Sequence, residues 1–333
     1  MQTSRTLIVG PSWVGDMVMA QALFKLLAAD GHVIDVLAPA WSLPIVARMP
    51  EVRNGIASET GHGELGFGKR RRIARSLLDK GYDRAIVMPR SFKSALIPWI
   101  AGIPRRTGFR GEARFGLIND VRKLDRKVLD QTVKRFVALG IEEGEPLPPA
   151  PQPALEIDTD RQRELRERLL LDARRPVIAM MPGAEYGAAK CWPLDYFAEL
   201  AARLDESAYA VWVLGSEKDA AAGEAIAASS AAVNLCGKTS LEDVIDVLGL
   251  CEQAVSNDSG LMHVAAAAGI HVHGVYGSSS PDFTPPLTDR RDIHYLHLDC
   301  SPCFKRECPL GHLNCLNGIR AEAIHDSILS VRP

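Results

Sequence analysis

Two hydrophobic patterns alternate along the chain. Short, nearly unbroken apolar runs at residues 6–10, 33–38, 84–88, 177–181, 210–214, 234–235, 254–256 and 271–276 predict strands. A run without polar alternation suits a strand covered on both faces. Between the runs, apolar residues recur at helical spacing. Val18, Ala22 and Leu26 share one face of residues 17–29, and Ile73, Leu77 and Leu78 line the basic stretch 69–80. Further helices are predicted at 45–49, 94–101, 159–171, 194–204, 220–229 and 241–248, and in the alanine run after residue 263. Strand and helix in strict alternation imply an α/β fold with parallel sheets. The proline-rich residues 143–153 can be neither helix nor central strand and so divide the chain. The economical architecture is two Rossmann-like domains, 1–152 and 153–316, with parallel sheets facing across a cleft. Ile319, Ala323, Ile324 and Ile328 predict a last helix in 317–333, expected to pack back on the first domain.

Composition narrows the class. With 333 residues, 47% hydrophobic and 24% charged, the chain is long enough for two globular domains. No apolar run reaches the length of a membrane span. The first residues lead straight into a strand without a signal-peptide core, and seven cysteines without an export signal suggest free thiols. A cytoplasmic protein is expected. The net charge of −2 hides a split: residues 1–155 carry 23 Lys and Arg against 15 Asp and Glu, the remainder 16 against 26. Either the first half meets something anionic or the two halves attract each other.

Chemistry concentrates in the turns after the strands. The segment Ala254 to Gly269 reads as strand, Asn257-Asp258-Ser259-Gly260 turn, then helix. Such a turn presents unpaired N–H groups and the positive end of a helix dipole, which suits a phosphate. Asp258 would repel a phosphate unless it met hydroxyls, so a sugar diphosphate fits better than phosphate alone. In Gly10-Pro-Ser-Trp-Val-Gly15-Asp16-Met17, Asp16 and Met17 replace the lysine and hydroxyl of a phosphate loop. What remains is a carboxylate at a helix start, either a cap or a general base. The loop 182–193 offers Gly183, Gly187 and Lys190, a counter-charge for a pyrophosphate or a solvated lysine. Glu217 follows the 210–214 strand and can accept two ribose hydroxyls. Residues 235–241, with Thr239, can present backbone to a base edge.

Taken together, Gly-Pro-Ser-Trp-Val-Gly-Asp-Met-Val, Leu-Ala-Pro-Ala-Trp, Ser-Phe-Lys-Ser-Ala-Leu, Gly-Ile-Pro-Arg-Arg-Thr-Gly, Pro-Gly-Ala-Glu-Tyr-Gly and Ser-Asn-Asp-Ser-Gly-Leu-Met-His resemble the bacterial lipopolysaccharide heptosyltransferases of glycosyltransferase family 9. The resemblance spans essentially the whole chain and is strongest to the heptosyltransferase II branch. It implies the GT-B fold and inverting, metal-independent transfer with no cofactor. The donor implied is ADP-L-glycero-D-manno-heptose, and the acceptor is heptosyl-Kdo2–lipid A of the lipopolysaccharide core. Another GT-B nucleotide-sugar enzyme, a heptosyltransferase of type I or III or an epimerase, is the alternative. The family's base falls on Asp16, its pyrophosphate lysine on Lys190 and its ribose acid on Glu217. Its sugar-binding acid and phosphate-cradling glycine fall on Asp258 and Gly260, beside Ser259, and its histidine on His263. Glu185 and Tyr186 stand where type I relatives carry paired threonines.

An anionic acceptor gives the basic half a purpose. Ser12, Trp13, Lys69, Arg70, Arg71, Arg72, Arg90, Lys93, Arg105, Arg106 and Arg110 are candidates to hold it, although 70–72 also read as a solvated helix face. The same face is expected to touch the cytoplasmic side of the inner membrane, where the acceptor is lodged. No nucleic acid is expected. Two further motifs compete. Asp158-Thr159-Asp160 has the form of a metal-binding pair but sits at a helix start, where capping explains it. Cys300, Cys303, Cys308, His312 and Cys315 offer either a structural zinc site or packed, reduced thiols; no catalytic metal is expected.

Overall fold

The computed structural model describes residues 4–59 and 65–331. It divides into two compact units, Met1–Pro153 and Ala154–Pro333. The first runs β1 (Arg5–Val9), α1 (Val14–Ala29), β2 (Val33–Pro39), α2 (Leu43–Val46), β3 (Val52–Ser58), α3 (Phe67–Leu77), β4 (Arg84–Val87), α4 (Leu96–Ile100), β5 (Arg105–Phe109), β6 (Asp120–Arg122) and α5 (Thr132–Ala138). The second opens with α6 (Thr159–Arg168), β7 (Val177–Met181), α7 (Leu194–Glu206), β8 (Ala210–Val213), α8 (Ala220–Ala227) and β9 (Val233–Asn234). It continues with α9 (Leu241–Leu248), β10 (Gln253–Asn257), α10 (Gly260–Ala267), β11 (His271–Val275), β12 (Arg291–His294), α11 (Asn314–Asn317) and α12 (Ala321–Ser330).

Each unit holds one six-stranded parallel sheet, ordered β3-β2-β1-β4-β5-β6 and β12-β11-β10-β7-β8-β9. Counted from each unit's own first strand, both orders are 3-2-1-4-5-6, the doubly wound arrangement. The winding reverses between β1 and β4 in one sheet and between β7 and β10 in the other. Beyond the carboxyl ends of those strands is where such sheets hold ligands.

Every apolar run in the sequence is a strand, and the central ones are sealed: Leu7, Ile8, Ile178, Met180, Ala254 and Val255 have no exposed surface. Four strands were not announced by such runs. In β3 most residues are exposed, β5 begins with Arg105-Arg106, and β6 and β12 carry charged residues. They occupy outer positions of the sheets, where one face or one edge meets water and apolar runs are not required. The last helix also departs from expectation. Ala321, Ile324 and Ile328 of α12 lie in the second unit's core with Phe197, Leu200, Ala201 and Leu204 of α7. Its apolar stripe is thus covered within its own unit. Among the described residues no helix is long and apolar enough to cross a membrane.

Candidate functional site

In the second unit the reversal point carries a buried ion pair. Lys190, on the loop after β7, places Nζ 2.5 Å from Oδ2 of Asp258, on the turn after β10. Their side chains are 18% and 5% exposed, so the pair is largely removed from water. Asn257 fixes the two loops together. Fully buried, it donates to the Pro182 carbonyl at 2.6 Å and accepts from the Trp192 N–H at 2.9 Å. Trp192 is itself anchored, its indole N–H donating to the Ile319 carbonyl. The ammonium of Lys190 also lies 5.3 Å from the Tyr186 ring centre, and the guanidinium of Arg306 5.5 Å from the same ring. The Tyr186 hydroxyl donates to the Phe304 carbonyl, and the Ala189 N–H to the Arg306 carbonyl. Residues 304–306 therefore buttress the lysine loop.

Beside this pair begins α10. Its N-cap, Ser259, is extended and makes no side-chain cap bond, so the helix start keeps donors for an incoming anion. His263, one turn in, is buried, and burial pushes its pKa down to about 4, leaving a neutral imidazole at pH 7. Its Nδ1 and the hydroxyls of Thr239, Ser278 and Ser279 are buried with no hydrogen-bond partner among the described residues. Thr239 follows β9, and the two serines follow β11. All lie in loops beyond the carboxyl ends of the same sheet and offer hydrogen bonds to a polar ligand.

The ribose acid expected at Glu217 sits exposed in a short turn after β8. Asp219 orders that turn, accepting from the backbone N–H and hydroxyl of Ser216 at 2.8 Å. A Cβ on Gly183 or Gly215 would come within 3 Å of the Asp219 carboxylate. Gly183 is therefore small at least to admit Asp219. Gly237, at φ +74, brings the following loop onto the Glu217 backbone, where a Cβ would lie 3.0 Å from the Glu217 Cα. Glu185 makes an exposed ion pair with Lys218 at 3.0 Å.

In the first unit, Asp16 stands half-buried in the opening turn of α1, immediately after β1. The N-cap Trp13 is 58% exposed, and the Trp41 indole, after β2, donates to the Ser12 carbonyl at 3.2 Å. Exposed Arg90 and half-buried Lys93 follow β4, and exposed Arg110 follows β5. These residues share the carboxyl edge of the first sheet.

Residues 70–314 match the model of glycosyltransferase family 9 (heptosyltransferase). The chain belongs to that family. It is 42% identical to lipopolysaccharide heptosyltransferase 2 of Escherichia coli (strain K12) over 343 aligned positions, covering 99% of this chain and 95% of that one. It is likewise 42% identical to lipooligosaccharide heptosyltransferase 2 of Haemophilus influenzae, covering 86% and 87%. The solved structure of E. coli ADP-heptose lps heptosyltransferase II superimposes with a TM-score of 0.88 at 40% identity, covering 98% of both chains. The family 9 fold is GT-B, and the chain is a glycosyltransferase.

Of the arginines expected to meet the acceptor, three hold the first unit together instead. Arg70 lies on the apolar stripe of α3 with Ile73, Ala74 and Leu77, 5% exposed, and donates to the Leu65 and Lys93 carbonyls. Arg105 forks onto Glu142 at 2.7 and 2.6 Å and bonds Asp120. Arg106 donates to the carbonyls of Leu117, Ile103 and Gly116. Their donors are already used. Arg71 and Arg72 are exposed, Arg72 in a surface pair with Glu59.

The remaining motifs resolve on geometry. Asp158 caps α6, its carboxylate accepting from the N–H groups of Asp160 and Arg161 at 3.0 Å. Burial and the nearby thiols of Cys300, Cys308 and Cys303 raise the Cys315 pKa, so the four cysteines share one neighbourhood. Backbone N–H groups of Leu313, Leu310, Gly311 and His312 face the Cys308 sulfur and lower its pKa. His312 turns Nδ1 to the Asn314 N–H at the start of α11. Sequence reasoning overlooked Asn257, Asp219, Arg306, Ser278 and Ser279. Asn257 was visible as the residue before Asp258; the others carried no motif.

Proposed function

We propose that this family 9 enzyme transfers L-glycero-D-manno-heptose from ADP-heptose, with inversion, to the first heptose of the Kdo2–lipid A inner core. The observation that carries the reading is the Lys190–Asp258 pair at the reversal point of the second sheet, beside the uncapped start of α10. A diphosphate draws the ammonium and the helix N–H groups, while Asp258 and His263 are placed for sugar hydroxyls. Glu217 takes the ribose hydroxyls. Asp16, ionised at a helix start where the dipole favours the anion by roughly 0.3–1 kcal/mol, accepts the proton of the attacking acceptor hydroxyl. Lys190 and the start of α10 stabilise charge developing on the departing ADP. No protein nucleophile is required. Lys93, Arg71, Arg72, Arg90 and Arg110 meet the anionic acceptor, and the same basic surface rests on the membrane that holds it.

The test is a transfer assay with ADP-heptose and mono-heptosylated Kdo2–lipid A, the new linkage read by NMR. A diheptosyl product of inverted anomeric configuration supports the reading. Turnover with the unheptosylated acceptor alone would point to the type I reaction, and epimerisation without transfer would remove the assignment.

A further inference from the structure

One face of the second sheet, beneath α12, gathers four metal-ligating side chains that the transfer chemistry does not use. His271 and His273 stand two apart on β11, and Asp292 and His294 two apart on β12, with His273 opposite Asp292 in the register. Ligand atoms of His271, His273 and Asp292 all lie within 4.8 Å of one another. His271 Nε2 is 2.8 Å and His273 Nδ1 3.9 Å from Asp292 Oδ2, and His294 Nε2 is 3.4 Å from His273 Nδ1.

The surroundings fix which nitrogen of His273 is bare. Gln253 gives its amide N–H to the Ile328 carbonyl at 3.2 Å, so its Oε1 accepts from Nε2 of His273 at 2.7 Å. The proton of the neutral ring therefore resides on Nε2, and the Nδ1 lone pair faces the Asp292 carboxylate, the His294 ring and the Ser327 hydroxyl at 3.3 Å. That lone pair accepts from the Ser327 hydroxyl at 3.3 Å or from Nε2 of His294 at 3.4 Å, long bonds that a cation drawn by the Asp292 carboxylate, 3.9 Å away, would replace. His273 has no exposed surface, and a neutral imidazole is the form that ligates metals. Asp292, 43% exposed, and His271, 14% exposed, leave an entry path. The last turn of α12, with Ser327 and the Ile328 carbonyl, supplies the negative end of a helix dipole.

We propose that His271, His273, Asp292 and His294 bind a divalent transition metal, zinc by preference, as a structural clip between β11 and the edge strand β12. Imidazole and carboxylate donors suit zinc. Tetrahedral ligand atoms about 2 Å from zinc lie about 3.3 Å apart. Those of His271, His273 and Asp292 lie within 4.8 Å of one another and close by at most about 1.5 Å on binding. His294, with Nε2 3.4 Å from His273 Nδ1, swings in as the fourth. Gln253 acts as a positioning residue, holding the tautomer as outer-shell partners of metal-bound histidines do. The site lies on the sheet face, away from the loops beyond the carboxyl ends, and is independent of the transfer reading.

The test uses the full chain without a histidine tag, chelator-stripped, reduced and titrated with Co²⁺ and with Zn²⁺. One Co²⁺ per chain is expected, with the visible absorption of a four-coordinate nitrogen and oxygen site and no near-ultraviolet thiolate band. Asp292→Asn, at the exposed rim, and His273→Ala are expected to abolish it, and Gln253→Leu to weaken it about 10–100-fold. Zn²⁺ is expected to raise the Tm of the wild type but not of Asp292→Asn. A Cys303→Ser/Cys308→Ser variant should bind unchanged. The proposal is overturned if no stoichiometric Co²⁺ binds. It is also overturned if the spectrum is that of thiolate ligation, lost in the cysteine variant and kept in Asp292→Asn. Should His273→Ala fail to fold, the Asp292→Asn and cysteine variants decide alone.

Discussion

The two sheets share one topology, yet their carboxyl edges are built differently. In the second unit the polar groups hold one another: Lys190 to Asp258, Asn257 to both flanking loops, Asp219 wedged between Gly183 and Gly215. In the first unit the cations divide. Arg70, Arg105 and Arg106 are consumed by the frame, while Arg72 is 73% exposed. A nucleotide sugar is small and of fixed charge, so a rigid site places its leaving group well. In the proposed reading a lipid-borne, multiply charged acceptor meets long side chains whose surface ion pairs are worth only about 0–1 kcal/mol each. On that proposal rigidity belongs to the donor and adaptability to the acceptor.

The sharpest way to break that comparison is at Asp16, where the proposed function has the first unit contribute chemistry and not only charge. Asp16→Ala is expected to lower kcat by ~10²–10⁴-fold, the range for a lost general base, with ADP affinity by calorimetry unchanged. A variant with ordinary turnover would remove Asp16 from the reaction. Next in size is Lys190→Ala. Losing a charge-assisted contact worth roughly 1.5–3 kcal/mol should weaken ADP binding about 10–100-fold. The substitution also leaves Asp258 buried without its cation, so Lys190→Met with Asp258→Asn should recover stability but not affinity. Smaller effects separate the two kinds of arginine. Arg105→Ala is expected to lower the Tm by a few degrees with KM for the acceptor unchanged. Arg71→Ala with Arg72→Ala should leave the Tm in place, raise acceptor KM several-fold and flatten its salt dependence. If the two variants behaved alike, the division of the cations would be wrong.

What the sequence made legible follows from burial. Strands sealed on both faces must be apolar, so β1, β2, β4, β7, β10 and β11 stood out, whereas β3, β5, β6 and β12 face water in part and carry charge. Asp16, Lys190, Glu217 and Asp258 could be placed at the carboxyl ends of their own sheets because each sits at a strand–helix turn, where the chain's order alone fixes the edge. The arginines were not. Arg70 reads the same as Arg71 and Arg72, and only its place on the α3 stripe with Ile73 and Leu77 turns it inward. Apart from the nearby Ile103 and Pro104 carbonyls, Arg105 and Arg106 found carboxylates and carbonyls that lie 10 to 37 residues away in the chain, a pairing that tertiary structure decides.

The subtlest contrast between the units concerns acid. The second unit buries His263 and His273 with pKa values of about 4 and about 3, and His294 is also lowered, in each case chiefly by burial. Asp258 pulls His263 upward and Lys190 pushes it down; Asp292 opposes His294 and His271 at His273. The folded values lie below the unfolded one near 6.5, so between those limits the unfolded chain binds protons that the folded chain refuses. Stability of the second unit therefore falls as pH drops from about 6.5 toward 4. In the first unit Asp120, held to about 2 by Arg122, Thr107 and Arg105 against the opposing effect of burial, retains its contribution until pH falls below 3.8. Trp192 and Trp212 are buried in the second unit, whereas Trp13, Trp41 and Trp99 of the first are exposed. Urea midpoints followed by tryptophan emission, with chelator present, should thus decline between pH 6.5 and 4.5, and less steeply in His263→Gln. A flat profile would mean that these imidazoles are protonated in the folded unit, and the neutral His263 beside the donor site would have to be given up.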